Sequence, residues 1–323
     1  MRVAVLGGGR SGEHEVSLAS AASVRGGLAA AGHDVVAVEI TRDGRWLENG
    51  VPLVLTPASG LLDCDVVFPA LHGPFGEDGV VQGVLECLDV PYVGSGVASS
   101  ALCMDKVRSK QLLAADGVPQ VDSRAITRRA FAGARERVVA DLAPLGMPVF
   151  VKPARLGSSV GISRVDVGGM ELLGALDQAF EHDDLAIVEA AATGLEVECS
   201  VIGGESPRCS LPGEIVLRSA FYDYEAKYEP GGMELVVPAR ISPTALAEVR
   251  RLALTVFELC SCADLARVDF FVDADSVLVN ELNTMPGFTA TSVYAKLWEA
   301  EGLAYPALVD ELCRLALSRG TTR

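Results

Sequence analysis

The sequence predicts an α/β protein whose N-terminal part contains a parallel β-sheet. Two observations carry this prediction: half of the residues are hydrophobic, and short apolar runs alternate with helical segments over the first third of the chain. The strand candidates there are residues 3–6, 35–40, 66–70 and 91–94, and the helix candidates are residues 16–31 and 80–88. Because such alternation produces parallel pairing, a ligand site is expected at the carboxyl ends of the strands.

The length of 323 residues is enough for two or three domains. The downstream helix candidates are residues 98–116, 171–181, 242–260 and 303–318. The downstream strand candidates are residues 149–152, 161–165, 185–189, 196–202, 213–217, 266–272 and 277–282. This grouping predicts three units, residues 1–94, 95–188 and 189–323. The long segment 218–237 between two of the elements carries Pro230 and two glycines, and it is expected to be a mobile lid.

Charge and composition exclude several classes of protein. The net charge is −16 and the pI is about 4.7, so nucleic acid and anionic membrane surfaces are poor partners. The mean hydropathy is +0.32, but no apolar run approaches the roughly 20 residues of a membrane-spanning helix. The N-terminal apolar run is too short for a signal peptide. Eight cysteines without a Cys-x-x-Cys pair indicate reduced thiols. A cytoplasmic protein is therefore expected.

The glycine turn after the first strand allows more than one interpretation. Gly7, Gly9 and Gly12 satisfy the G-x-G-x-x-G pattern, and Glu39 ends the next strand, where a ribose-binding acid would lie. A dinucleotide-binding oxidoreductase is thus one hypothesis, and plain turn geometry is another. However, Glu13 follows directly, and a carboxylate there competes with a pyrophosphate for the positive end of the helix. The favoured interpretation is a site for a substrate ammonium.

A second motif is suited to phosphate. Lys152 leaves an apolar strand, and Gly157-Ser-Ser159-Val-Gly161 turns the chain back. Glycines let backbone amides approach phosphate oxygens closely, and serine hydroxyls add further donors. The lysine precedes the glycines, so this is not a Walker loop.

Two strands near the C-terminus predict a metal-binding hairpin. If they pair across the turn at residues 273–276, Asp269 lies opposite Glu281. Period-two alternation then places Arg267 and Asn283 on the same face. Carboxylate and amide oxygens in this number suit Mg²⁺ that carries nucleotide phosphates.

Seven motifs, in this order, resemble the ATP-grasp ligases and, among them, the D-alanine–D-alanine ligase family. They are GGGRSGEHEVS at 7–17, HGPFGEDG at 72–79, MDK at 104–106, KPARLGSSVG at 152–161, FYDYEAKY at 221–228, RVD at 267–269 and ELNTMPGFT at 281–289. The resemblance covers nearly the whole chain. It implies a three-domain ATP-grasp fold that is α/β overall, with α+β character in the ATP-grasp part.

The resemblance also implies an activity. Two D-alanines are joined to D-alanyl-D-alanine through an acyl phosphate, with ATP converted to ADP and phosphate, to supply a peptidoglycan precursor. ATP and two Mg²⁺ ions, with Mn²⁺ as a substitute, are the implied cofactors, and a homodimer is the implied assembly. A relative that uses D-serine or D-lactate as second substrate is the alternative within the family.

Individual roles follow from the same resemblance. Catalysis and amino-acid binding fall to Glu13, His72, Ser158, Tyr228, Arg267, the Gly287 amide and Ser292. ATP binding falls to Lys106, Lys152, Gly157, Ser159, Glu189, Ala191, Glu196 and Lys227. The metal ligands are Asp269, Glu281 and Asn283. The adenine hinge at residues 190–192 departs from the family pattern, because three alanines offer only methyl groups where many relatives have a bulky residue.

Overall fold

The computed structural model describes residues 1–157, 160–217 and 233–320. The predictions for Ser158, Ser159, Lys227 and Tyr228, and for most of the expected lid, concern residues outside this part of the chain. Within the described part the chain forms three β-sheets with helices packed against them. This combination of helices and sheets is the fold class that the sequence predicts.

The N-terminal sheet has the strand order β4-β3-β2-β1-β5. Its strands are β1 (Arg2–Gly8), β2 (Asp34–Ile40), β3 (Trp46–Glu48), β4 (Val51–Pro52) and β5 (Val66–Pro69). β1 pairs in parallel with β2 and β5, but β2 and β3 are antiparallel. The sheet is therefore mixed, because the connection at residues 41–45 closes with a Thr41–Arg45 hydrogen bond and is too short for a parallel crossover. The strand expected at 91–94 is reduced to a single bridge between Val67 and Tyr92.

Both faces of β1 are buried. Val3 and Val5 belong to one hydrophobic core, together with residues of α1 (His14–Ala30) and of the C-terminal helix α10 (Tyr305–Arg319). Ala4 and Leu6 belong to a second core on the opposite face, which includes residues of α2 (Val80–Leu88). Helices on both sides of the parallel strands explain why this segment is apolar without alternation.

The predicted helix 98–116 is two helices, α3 (Val97–Met104) and α4 (Lys106–Ala115). Asp105 between them has an extended backbone, and its side chain accepts hydrogen bonds from the Val107 and Arg108 amides. This N-cap satisfies the first free amides of α4 and lets the chain turn there.

The central sheet has the order β6-β9-β7-β8 and all its pairs are antiparallel. Its strands are β6 (Ser123–Thr127), β7 (Val149–Pro153), β8 (Ser163–Val165) and β9 (Leu185–Ala190). Its helices are α5 (Arg128–Gly133), α6 (Arg135–Leu142) and α7 (Met170–His182), with a short 3₁₀ helix at Ala143–Leu145. Sequence reasoning missed β6, α5 and α6, whose exposed polar residues carry little periodicity.

The C-terminal sheet has the order β13-β12-β10-β14-β15, and β11 pairs with β10. Its strands are β10 (Leu195–Gly203), β11 (Arg208–Cys209), β12 (Gly213–Leu217), β13 (Met233–Val236), β14 (Asp264–Asp273) and β15 (Ser276–Asn283). Helices α8 (Pro243–Leu259) and α9 (Val293–Ala300) complete this part. β13 lies within the segment 218–237 that was expected to be a mobile lid, so that expectation is wrong for residues 233–236. These pair with β12 instead.

No helix in the described part of the chain is long and apolar enough to span a membrane. All eight cysteines are free thiols, five of them buried.

Candidate active site

A cavity of about 810 Å³ lies where the three sheets meet. It brings together almost every predicted site residue that the structure describes: Glu13, His72, Lys106, Lys152, Gly157, Glu189, Glu196, Arg267, Asp269, Glu281, Asn283, Gly287 and Ser292. Ala191 is the exception. Its neighbours Ala190 and Ala192 line the cavity, but the Ala191 amide donates to the Pro148 carbonyl at 3.1 Å.

The C-terminal hairpin has the predicted register. Asp269 is opposite Glu281 and Arg267 is opposite Asn283, and a bulge follows directly after Asp269. Arg267 donates to Asp269 through Nε and Nη2, both at 2.7 Å, and Asn283 Nδ2 donates to Asp269 Oδ2 at 3.1 Å. The two strands therefore present three oxygen-bearing side chains and one guanidinium on one face.

Glu198 is a site residue that sequence reasoning missed. It lies on β10 opposite Asp269, so Glu198, Asp269 and Glu281 form a row across three neighbouring strands. Its Oε2 lies 2.8 Å from Arg267 Nε, and the residue is 4% exposed. The sequence pattern that could have predicted Glu198 is Glu196-Val-Glu198, because alternation in a strand places both carboxylates on one face.

Two lysines, Lys106 on α4 and Lys152 on β7, also line the cavity. Lys106 Nζ donates to the Leu156 carbonyl at 2.7 Å and lies 3.6 Å from Glu281 Oε2. Lys152 Nζ lies 2.6 Å from Glu189 Oε2. Burial acts to lower the pKa of Lys152, but the charges of Glu189 and Glu281 outweigh it and raise the pKa above its ordinary value. Lys152 is therefore a permanent cation in a largely buried place.

The N-terminal part of the cavity is acidic. Glu13 is 8% exposed and its carboxylate lies against Gly73 and Gly157. His72 Nδ1 donates to the Met285 carbonyl at 3.2 Å, and its Nε2 lies 2.8 Å from Ser20 Oγ. Burial opposes a positive charge on His72, but a hydrogen bond to Glu77 and the charges of Glu77 and Glu13 raise its pKa.

The loop between β15 and α9 closes this side. The Thr289 amide donates to Ser292 Oγ at 3.0 Å, and Ser292 is the N-cap of α9. The Phe288 amide donates to Ser20 Oγ at 3.3 Å, so the loop is attached to α1. Gly287 and Ser292 are close, since a Cβ at Gly287 would lie 3.4 Å from Ser292 Oγ. An exposed helix N-terminus beside a backbone amide suits a carboxylate.

Backbone conformation and close packing explain why glycines follow the first strand, without a bound dinucleotide. A Cβ at Gly7 would collide with the Ala21 side chain, and one at Gly8, whose φ is +90°, would collide with the Ile40 carbonyl. The Gly9 amide donates to that same carbonyl at 2.6 Å. These glycines therefore allow α1 to pack closely on β1 and β2.

The fold and the cavity together define an ATP-grasp ligase, because lysines of the central part and a carboxylate-bearing hairpin line one shared cavity. Two family models match the chain, described as "D-ala D-ala ligase N-terminus" over residues 2–59 and 54–95 and "D-ala D-ala ligase C-terminus" over residues 112–314. The chain therefore belongs to the D-alanine–D-alanine ligase family.

Individual relatives are similar to this chain over nearly their full length. The D-alanine–D-alanine ligase of Deinococcus radiodurans is 47% identical, with 98% of each chain covered. That of Kineococcus radiotolerans is 45% identical, with 99% of this chain and 97% of the relative covered. The crystal structure of the VanG D-Ala:D-Ser ligase from Enterococcus faecalis matches with a TM-score of 0.87 at 35% identity, over 98% of this chain and 99% of that one. The D-alanine–D-alanine ligase from Coxiella burnetii matches with a TM-score of 0.85 at 36% identity, over 99% and 94%.

Proposed function

We propose that this protein is an ATP-dependent ligase that joins two D-alanines to D-alanyl-D-alanine for peptidoglycan precursor synthesis. The observation that carries the proposal is the composition of the cavity where the three sheets meet. Lys106 and Lys152 line it together with the acidic hairpin, with Lys106 Nζ 3.6 Å from Glu281, and Glu13 lines it as well. Membership of the family and the relatives' printed names support the same activity.

The reaction requires activation of a carboxylate. The carboxylate of the first D-alanine attacks the γ-phosphorus of ATP and releases ADP, which leaves an acyl phosphate. The amine of the second D-alanine then attacks the acyl carbon and expels phosphate. Both steps concentrate negative charge, and fixed cations lower that cost in a dry site. Lys106 and Lys152 are assigned to the ATP phosphates, and the Gly157 loop covers them.

The hairpin residues suit divalent metal. Asp269, Glu281 and Asn283 supply hard oxygen ligands on one face, which is the donor set that Mg²⁺ prefers. No group of three or more His, Cys, Asp or Glu side chains with metal-binding geometry occurs among residues 1–157, 160–217 and 233–320. The two carboxylates of the hairpin, with the amide oxygen of Asn283, are assigned as the residues that would hold the metal. Bound there, Mg²⁺ would neutralise phosphate charge. Arg267 Nε lies 2.8 Å from Glu198 Oε2 and 2.7 Å from Asp269 Oδ1, so Glu198 would still neutralise Arg267 if Asp269 held a metal.

The amino-acid subsites occupy the other end. Glu13 is assigned to the ammonium of the first D-alanine, because a buried carboxylate binds a cation strongly. Ser292 and the start of α9 are assigned to the carboxylate of the second. Arg267 and the Gly287 amide are assigned to the oxyanion of the tetrahedral intermediate. His72 is assigned to the neighbourhood of the first amino acid, where it connects α1 to the Met285 carbonyl.

The remaining predictions stay as parts of this proposal. The units 1–94, 95–188 and 189–323 are proposed as the domains. A homodimer and the roles of Ser158, Ser159, Lys227 and Tyr228 rest on the resemblance, and a cytoplasmic location rests on the composition and the reduced thiols. The second candidate, a ligase that takes D-serine or D-lactate as second substrate, is not favoured. One of the similar solved structures is a D-Ala:D-Ser ligase, but the curated relatives are named D-alanine–D-alanine ligases.

A phosphate-release assay with identification of the product by mass spectrometry tests the proposal. ATP and Mg²⁺ are supplied with D-alanine, L-alanine, or D-alanine together with D-serine or D-lactate. We expect phosphate release coupled to D-alanyl-D-alanine and none with L-alanine. Equal turnover of both alanine enantiomers would refute the ligase assignment, and a predominance of D-alanyl-D-serine would favour the second candidate.

A further inference from the structure

Lys110 is a buried lysine behind the cavity that none of the roles above uses. It lies on α4, one helical turn after Lys106, so both side chains extend from the same side of the helix. Lys106 lines the cavity, whereas Lys110 does not. The Lys110 side chain is 8% exposed and its Nζ lies 3.0 Å from Oε1 of Glu189. A buried lysine is expected to be paired or to serve a purpose.

Lys110 shares its partner with a residue assigned to ATP. Glu189 pairs with both lysines: its Oε1 lies 3.0 Å from Lys110 Nζ and its Oε2 lies 2.6 Å from Lys152 Nζ. The Glu189 side chain is only 4% exposed. Burial acts to raise the pKa of Glu189, but the charges of Lys152 and Lys110 dominate and lower it to about 2. Two cations therefore flank one permanent anion, and this buried group carries a net charge of +1.

The net charge of this buried group determines how strongly Lys152 attracts a phosphate. Without Lys110, the Lys152 ammonium would be neutralised by Glu189, and the pair would present only a dipole to the cavity. With Lys110 present, Glu189 is already compensated, and the field of Lys152 extends into the cavity. The Lys110 ammonium lies 3.0 Å from Oε1 of Glu189, and its charge is among the main causes that lower the pKa of Glu189. Charge effects of this kind are large where water is excluded.

We infer that Lys110 is a positioning residue for the nucleotide: by compensating Glu189 from behind, it leaves the charge of Lys152 available to the ATP phosphates. The inference rests on the proposed function, because it takes ATP to be the ligand near Lys152. Lys110 touches neither ATP nor the amino acids in this arrangement. Its removal should therefore act on nucleotide affinity and leave the amino-acid subsites unchanged.

The test compares Lys110→Met with a double variant and two controls. ATP affinity is measured by isothermal titration calorimetry, and KM for ATP, KM for D-alanine and kcat by phosphate release. Lys110→Met should raise the dissociation constant and KM for ATP about tenfold or more, with KM for D-alanine changed less than twofold. Lys110→Met is also made in a Glu189→Gln background, because Glu189 is itself assigned to ATP and must be changed in both members of the comparison. If Lys110 acts only through Glu189, its removal should change ATP affinity less than twofold in that background. Lys110→Arg keeps the charge and should retain affinity.

The matched control is Arg108→Met, which removes a positive charge from the exposed face of the same helix. It should change neither ATP affinity nor stability appreciably. Wild-type ATP affinity in Lys110→Met, or an equal loss from Lys110→Met in the wild-type and Glu189→Gln backgrounds, overturns the inference. If Lys110→Met does not fold, Lys110→Gln takes its place on the same criterion. Failure of the wild-type protein to bind ATP would instead refute the proposed function.

Discussion

Gly73→Ala should separate the amino-acid subsite from the nucleotide subsite. Gly73 has a φ of +72°, and a Cβ built there would collide with Oε2 of Glu13 and lie 3.3 Å from the Ser11 Cβ. Glu13 would have to move away from the position that we assign to the ammonium of the first D-alanine. Loss of a charged hydrogen bond costs about 1.5–3 kcal/mol, which corresponds to roughly a ten- to hundredfold rise in KM for D-alanine. ATP affinity should stay at the wild-type value.

The positive φ of Gly73 also means that an alanine there lowers stability, and this effect has to be separated from the effect on KM. A side chain at positive φ costs about 1–2 kcal/mol of stability. Gly117→Ala is the matched control, because Gly117 has a φ of +69° and nothing lies within 4 Å of a Cβ built there. Urea denaturation should show a similar loss of stability in both variants, while steady-state kinetics should show the rise in KM only in Gly73→Ala. A wild-type KM in Gly73→Ala, or an equal rise in both variants, would refute the assignment of Glu13.

Three other perturbations test different parts of the structure. Glu281→Ala should abolish turnover and weaken Mn²⁺ binding measured by electron paramagnetic resonance, because it removes an anionic metal ligand; wild-type activity at saturating Mg²⁺ would contradict the metal assignment. Phe288→Ala should lower the free energy of unfolding, measured by urea denaturation, by about 3–5 kcal/mol. The reason is that the buried Phe288 ring lies 5.2 Å from the Phe68 ring and 5.3 Å from the Tyr294 ring. A loss under about 1 kcal/mol would argue against this packing. Glu189 has a folded pKa of about 2 against an ordinary value of 4.5. The folded state therefore binds fewer protons than the unfolded state between these values, and the stability that Glu189 contributes, about 3 kcal/mol at most, is present above pH 4.5 and lost as the pH falls toward 2. The free energy of unfolding should fall less between pH 5 and pH 3 in Glu189→Gln than in the wild type, and an equal fall would exclude this coupling.

Much of the site could be predicted from the sequence because its motifs are local. The hairpin register follows from a short turn at residues 273–276 between two strands with apolar partners on the buried face, and the structure pairs Asp269 with Glu281 as expected. The glycine-rich turns and the order of the seven motifs are likewise contained in short stretches of chain, and these were sufficient to indicate the family.

The failures in the fold prediction have physical causes that local patterns do not contain. The mixed N-terminal sheet depends on a tight connection after β2, and apolar periodicity in β2 is the same for either strand direction. The break at Asp105 depends on a side-chain cap in an otherwise helical stretch. Strand β13 was missed because its residues are half-buried or exposed, and only their pairing with β12 defines them as a strand.

The sequence by itself determined the chemical groups of this protein and their order, but only the tertiary structure decided which of them act together. Lys110 and Glu189 are 79 residues apart, and His72 and Met285 are 213 residues apart. Glu198 belongs to the site only because Asp269 lies opposite it on the neighbouring strand. Such pairs form only when sheets and helices pack, because the free energy that brings them together comes from burying the apolar residues around them and not from the charged groups themselves.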